Sequence, residues 1–254
     1  MNILLLGHKG YLGSYLHRHL SYTHDVEPKR EHYNYIINCI GKPDLEYCEE
    51  NPAASEVSNY TVILPYIKKY PASKIINFSS YYVYDDNDLC AEESNTTIDY
   101  FYTLHNLLCE EFVTKNKGVT FRLGKLFGNN GRAYQNKLTE YIIHNNEMTL
   151  DMVRFNPTSV LQVKKVIEYE LKNNYMVGVY NLSNDDYVTH YEYGIFINNL
   201  LGKSKNIKRI EKLHRNFHNY GKFAMSVNKL KNDIVLNDWR IDLERYLKEI
   251  KCIV

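Results

Sequence analysis

The chain has 254 residues, with 31 lysines and arginines against 30 aspartates and glutamates, a formal net charge of +1, and 44% hydrophobic residues. That length and apolar content suit one large α/β domain or a domain with a smaller lobe, and they exclude a disordered chain. Scattered basic residues at near-zero net charge give no electrostatic footprint for nucleic acid, and no apolar run approaches the roughly 20 residues that span a bilayer. The expected partner is therefore a small molecule or another protein. Five cysteines, Cys39, Cys48, Cys90, Cys109 and Cys252, are odd in number and lack C-x-x-C spacing, and no secretory leader stands at Met1-Asn2-Ile3. These features read as a reduced, cytoplasmic protein with no metal site.

The first element is an apolar strand, Ile3-Leu4-Leu5-Leu6, running into Gly7, Gly10 and Gly13 and then a helical run from Tyr11 to His19. Glycines at i, i+3 and i+6 between a strand and a helix let the backbone approach a pyrophosphate, with free N–H groups and the positive helix end aimed at it. A dinucleotide site is expected there. Next come a short strand at Thr23–Val26 and a clear one at Tyr35–Ile40, separated by fewer than ten residues. A crossover with its own helix needs roughly 10 to 12 residues, so the crossover after the second strand should be reduced to a loop.

Pro52 to Tyr70 has helical spacing, Lys74–Ser79 is the next strand, Tyr102 to Thr114 a helix, Val119–Leu123 a strand and Tyr134 to His144 a helix. This alternation predicts a doubly wound parallel sheet of Rossmann type. From Met148 the units shorten: a helix from Thr158 to Asn173, a strand Gly178–Leu182, a helix opened by Thr189-His190-Tyr191-Glu192 with the capping-box pattern and closed at Gly202, and a last amphipathic helix from Trp239 to Ile250. The expected organisation is a dinucleotide-binding domain over 1–147 and a small, mainly substrate-binding lobe over 148–254, interleaved with the first to some degree.

Several segments carry a resemblance across nearly the whole chain. They are Met1–Gly7 with the glycine turn, Ile36–Gly41, Glu49-Glu50-Asn51-Pro52 followed by Asn59, Phe78-Ser79-Ser80-Tyr81-Tyr82-Val83-Tyr84, Tyr102 before Leu107–Glu110, Phe121-Arg122, Gly178–Leu182 and Leu236–Trp239. In order and spacing the chain resembles the extended short-chain dehydrogenase/reductases, most closely their dTDP-4-dehydrorhamnose reductase branch. The resemblance implies hydride transfer from a nicotinamide cofactor to a nucleotide-linked 4-keto-6-deoxy sugar, in polysaccharide or glycan assembly, by enzymes that pair through helices flanking the sheet. It assigns Ser80 as the hydroxyl that orients the carbonyl and Tyr102 as the proton donor. Gly10, Tyr11, Leu12, Cys39, Ile40 and Gly41 match positions that line the cofactor.

The chemistry explains these residue types. A carbonyl that accepts hydride needs a proton, and a phenol with a pKa near 10 gives one readily when a cation lies close. The family places a lysine four residues after the tyrosine, where this chain has Asn106. Asn106 shares a helix face with Tyr102 and offers hydrogen bonds without charge. His105, three residues after Tyr102, and Lys125, beyond the Phe121-Arg122 strand, are candidates to compensate. Lys125, where the family usually has an aromatic, could serve Tyr102 or a diphosphate. Lys29 and Arg30 could pair a 2′-phosphate, while Asp25 or Glu27 could accept ribose hydroxyls; the basic pair tips the choice toward NADP over NAD. The competing reading is a nucleotide-binding pseudoenzyme acting as a regulatory or structural subunit, favoured by the loss of the lysine and the trimmed crossover.

Overall fold

The computed structural model describes residues 1–21, 25–26, 30–85, 89–128, 137–211 and 224–252. A central sheet is built from β1 (Asn2–Leu6), β2 (Asp25–Val26), β3 (Tyr35–Asn38), β4 (Lys74–Ser80), β5 (Val119–Leu123) and β6 (Gly178–Leu182), in the order β6-β5-β4-β3-β1-β2. The ladders β2/β1, β1/β3 and β3/β4 are all parallel. The chain leaves β1 through helix α1 (Tyr11–Leu20), adds β2 on one side, and then adds β3 on the other. The winding direction thus reverses between β1 and β3, the position where doubly wound sheets open a ligand crevice at their carboxyl ends. Residues 30–34, the described part of the β2-to-β3 connection, carry no helix, as the short spacing requires.

The sheet strands read as nearly continuous apolar runs because both faces are covered. Leu4, Leu6, Ile36 and Ile75 pack with Ile63, Ile67 and with Cys109 and Val113 of a long helix, Phe101–Lys115. The stretch from Pro52 to Tyr70, expected as one helix, is three pieces: Pro52–Asn59, a 3₁₀ turn Thr61–Ile63, and Leu64–Lys69. Tyr60 departs from helical dihedrals, and Pro65 lies in the first turn of the last piece, where its missing N–H costs least.

The chain divides into two compact units interleaved along the sequence. One comprises Met1–Asp85, Asn95–Arg122 and Glu170–Tyr180; the other comprises Asp86–Ser94, Leu123–Tyr169 and Asn181–Val254. The second unit takes in Lys125–Phe127, which pairs with Pro157–Ser159 and not with the central sheet.

Within the second unit, strand Glu147–Asp151 pairs in parallel with Asn206–Ile210, and Arg154–Phe155 pairs antiparallel with Val188–Thr189. Its core joins Trp239, Leu243, Tyr246 and Leu247, one face of helix Trp239–Glu249, to Tyr193 and Ile197 of helix His190–Leu200. The capping box forms as its sequence demands: the Thr189 hydroxyl accepts from Glu192 N at 3.1 Å, and Thr189 N donates to Glu192 Oε2 at 3.1 Å.

Candidate active site

The glycine turn joins the ends of two strands. Gly7 has φ +75°, and a Cβ on it would lie 2.7 Å from the Cys39 carbonyl carbon and oxygen and 2.8 Å from Ile40 N. The carboxyl ends of β1 and β3 therefore touch backbone to backbone, which only glycine permits. Gly10 N donates to Gly7 O at 2.8 Å, and a Cβ on Gly13 would overlap that same Gly7 carbonyl. Gly10 is also the N-cap of α1 and has no side chain to satisfy the helix's first amides. A helix start left open in this way is suited to an anion. The side chains of Tyr11 and Leu12 are buried, while those of His8 and Lys9 in the same turn are exposed.

An amide ladder continues the row of strand ends. Asn38 Nδ2 donates to Asn77 Oδ1 of β4 at 2.8 Å, and Asn38 Oδ1 accepts from Ile40 N at 3.2 Å. Asn59 holds the next residues, accepting from Lys42 N at 2.7 Å and lying beside Gly41. The Cys39 thiol is pushed well above its ordinary pKa by burial and stays neutral. Arg30 is exposed, with its N–H on the Tyr33 hydroxyl at 2.9 Å. Lys29, its expected partner for a 2′-phosphate, lies outside the described residues, as does Glu27.

Ser80 ends β4, and its Oγ accepts from Tyr82 N at 3.2 Å, so its hydrogen can be donated elsewhere. Tyr102 lies in the first turn of helix Phe101–Lys115, buried, with its ring 6.5 Å edge-on from that of Tyr82. Asn106 does share the Tyr102 face, but its amide is turned back into the helix and donates to the Tyr102 carbonyl at 2.8 Å. His105 is neither a surface residue nor a partner of the phenol. It is buried with Nδ1 2.9 Å from Ser55 Oγ, and that burial lowers its pKa against the pull of Glu56 and Glu49. Arg122 is held inside the fold by Glu110, with Nη2 2.6 Å from Oε2 and its guanidinium 4.6 Å over the Tyr84 ring.

Lys125 belongs to the second unit and is not simply solvated. Its Nζ lies 3.3 Å from His190 Nε2 and 5.4 Å from the centre of the Phe155 ring. His190 Nδ1 in turn meets Asp151 Oδ1 at 2.7 Å. Neither His190 nor Asp151 stood out in the sequence as functional, although the capping box placed His190 at a helix start. Among the described residues no group of three or more His, Cys, Asp or Glu side chains is arranged for a metal ion, and no helix is long and apolar enough to cross a membrane.

Solved structures with this fold are numerous. A dTDP-4-dehydrorhamnose reductase from Clostridium acetobutylicum superposes with a TM-score of 0.84 at 19% identity, covering 99% of this chain and 100% of that one. The corresponding reductase from Bacillus anthracis, in complex with NADP, gives 0.81 at 18% identity over 98% and 99% of the two chains. A UDP-N-acetylglucosamine 4-epimerase from Methanobrevibacter ruminantium gives 0.82 at 15% identity over 98% of each. No curated protein sequence matches the chain. At these identities the superpositions establish the fold, an α/β architecture of Rossmann type. Membership is carried by a sequence-family model that extends over residues 1–252, and the chain belongs to the family described as the RmlD substrate binding domain.

Proposed function

We propose that this protein is a nicotinamide-dependent reductase of a nucleotide-linked keto sugar of the 4-keto-6-deoxy type. The observation that carries the reading is the fusion of Gly7 to the Cys39–Ile40 backbone at the uncapped start of α1, a main-chain cradle at the topological switch point. The dinucleotide would rest its pyrophosphate on the Gly7–Gly13 turn and run along Cys39, Ile40 and Gly41. When bound, it supplies the hydride. NADP is favoured over NAD by Arg30 beside Lys29, and by the NADP carried by the Bacillus anthracis relative.

The remaining roles belong to side chains. Ser80 donates its hydroxyl hydrogen to the carbonyl oxygen and steadies the charge that develops there. Tyr102 gives that oxygen a proton. Asn106 brings no charge and is committed to its own helix, so Tyr102 gives its proton without a cation at position 106.

The test is a fluorescence titration with NADPH, followed by turnover of a panel of nucleotide-linked keto sugars. Binding is expected in the micromolar range, with Tyr102→Phe lowering kcat by about 10²-fold or more. Asn106→Lys should raise kcat, because it restores a cation on the Tyr102 face. Absence of binding at millimolar NADPH would overturn the reductase. Binding without turnover, unchanged in Asn106→Lys, would favour the second reading, a nucleotide-binding subunit that has lost its chemistry along with the lysine.

A further inference from the structure

Three polar side chains are buried where two helices of the first unit meet. Ser55 and Asn59 lie one turn apart on helix Pro52–Asn59, and His105 lies on helix Phe101–Lys115, which packs against it. His105 Nδ1 stands 2.9 Å from Ser55 Oγ, and Asn59 Nδ2 donates to that same Oγ at 3.2 Å. Asn59 also grips the segment that follows β3: its Oδ1 accepts from Lys42 N at 2.7 Å, and its Nδ2 reaches Lys42 O at 3.3 Å. Glu49 Oε1 accepts from Phe101 N at 2.6 Å, at the amide just before Tyr102. All of these residues belong to the first unit.

Packing alone does not call for these residue types. A hydroxyl, an imidazole and a carboxamide taken out of water each lose hydration, a loss that alanine or leucine at a helix contact would avoid. Here the loss is offset because each member bonds the next. The serine hydroxyl both donates and accepts, so the link to His105 holds with either ring tautomer. One hydrogen-bonded path therefore runs from the backbone of Lys42 through Asn59 and Ser55 to His105, three residues past Tyr102 on the same helix. Glu49 pins the start of that helix, placing a carboxylate on an N-terminal amide where negative charge is favoured.

Reduction of a ketone needs a hydride at carbon and a proton at oxygen. The cofactor cradle and the Tyr102 phenol must then stay in register, since a misplacement of about 1 Å can cost about 10²-fold in rate. We propose that Ser55 and His105 are positioning residues that, through Asn59, hold the first turn of helix Phe101–Lys115 in register with the Cys39–Lys42 segment. What that register serves rests on the reductase reading; the coupling between the two segments does not.

The experiment has two arms. The first needs no activity: amide hydrogen exchange of the full chain without ligand, read by NMR in the wild type, Ser55→Ala and His105→Leu. Each substitution should speed exchange of the Lys42 amide by about 10-fold relative to the amides of β5, although neither residue touches that N–H. No change at Lys42, or a rise shared equally by β5, would mean packing alone and overturn the proposal. The second arm is turnover of a dTDP-linked 4-keto-6-deoxyhexose, with the active fraction fixed by NADPH titration. Ser55→Ala and His105→Leu should each lower kcat by about 10-fold and raise the isotope effect from deuterated NADPH, with the KM for NADPH within about twofold of wild type. The double substitution should be no worse than either single one, because both cut the same path. His105→Gln, which can still meet the Ser55 hydroxyl, should recover kcat to within about twofold, whereas a packing role would favour leucine over glutamine. Equal losses for leucine and glutamine, multiplied losses in the double, or an unchanged isotope effect would overturn the proposal. A wild type that reduces no nucleotide sugar would overturn the reductase reading, while the exchange arm still decides the coupling.

Discussion

Replacing Gly7 by alanine should damage this protein more than replacing Gly10, and the difference can be worked from geometry. Gly7 holds φ +75°, where a side chain costs about 1–2 kcal/mol. Its new Cβ would also press on the Cys39 carbonyl and on Ile40 N at 2.7 to 2.8 Å, all backbone atoms of a neighbouring strand end. Such overpacking adds about 1–3 kcal/mol. The total, about 3 kcal/mol, corresponds to a fall in Tm of about 6–12 °C for a chain of this size. Gly10 has φ −74°, and its Cβ would meet Gly7 O at 3.2 Å and Cys39 O at an ordinary 3.9 Å. Alanine there should cost less than about 1 kcal/mol. Thermal unfolding followed by circular dichroism, with and without saturating NADPH, measures both. NADPH should raise Tm in the wild type and in Gly10→Ala, and much less in Gly7→Ala, because the cradle is the damaged part. A Gly7→Ala protein melting within a degree of wild type, or Gly10→Ala melting below Gly7→Ala, would refute the reasoning.

Two further outcomes concern stability. Glu110→Gln should cost about 3–5 kcal/mol in urea unfolding, because it leaves the buried Arg122 guanidinium without its carboxylate; replacing both partners with apolar residues should cost less than the single change. His105 has a lowered pKa in the fold because burial disfavours its charged form, so the unfolded chain, titrating near 6.5, takes up the proton first as pH falls. Stability is therefore full above that value and is lost as pH drops toward the folded value. His105→Gln, which can still bond Ser55, should lose less stability than wild type between pH 7 and pH 5, and equal losses would show that His105 contributes nothing.

The parts of the fold that were legible are those decided by local pattern. β5 and β6 are apolar runs with sharp ends, and the glycine turn and the Thr189–Glu192 box announce themselves within seven residues. The pairing of Glu147–Asp151 with Asn206–Ile210 was not legible, because Asn206-Ile207-Lys208-Arg209-Ile210 is largely exposed and finds its partner 59 residues away. The single helix expected over Pro52–Tyr70 failed for the opposite reason: its apolar spacing is real, but a local break at Tyr60 overrides it. At the site, residue types carried further than residue partners. Nothing local shows that the Asn106 amide folds back on its own helix, or that His105 spends its ring on Ser55, 50 residues earlier in the chain. His190 meets Lys125 across 65 residues, so its position was readable and its partner was not.

The two halves of the proposed activity depend on different kinds of atom. Cofactor binding rests on main chain: the Gly7 turn, the α1 start and the Cys39–Gly41 strand end, with Asn38, Asn59 and Asn77 bracing them. Such a cradle does not depend on the charge of residue 106, because none of its parts is a side chain of the helix that carries Asn106. Proton delivery rests on side chains, and there the helix retains the Tyr102 phenol while giving up the charge four residues on. A helix that needed only to pack at this position would be served by any small or apolar residue. Keeping Tyr102 buried beside the Ser80–Tyr82 turn, with its ring 6.5 Å from that of Tyr82, is the arrangement that proton delivery by this phenol requires of the helix.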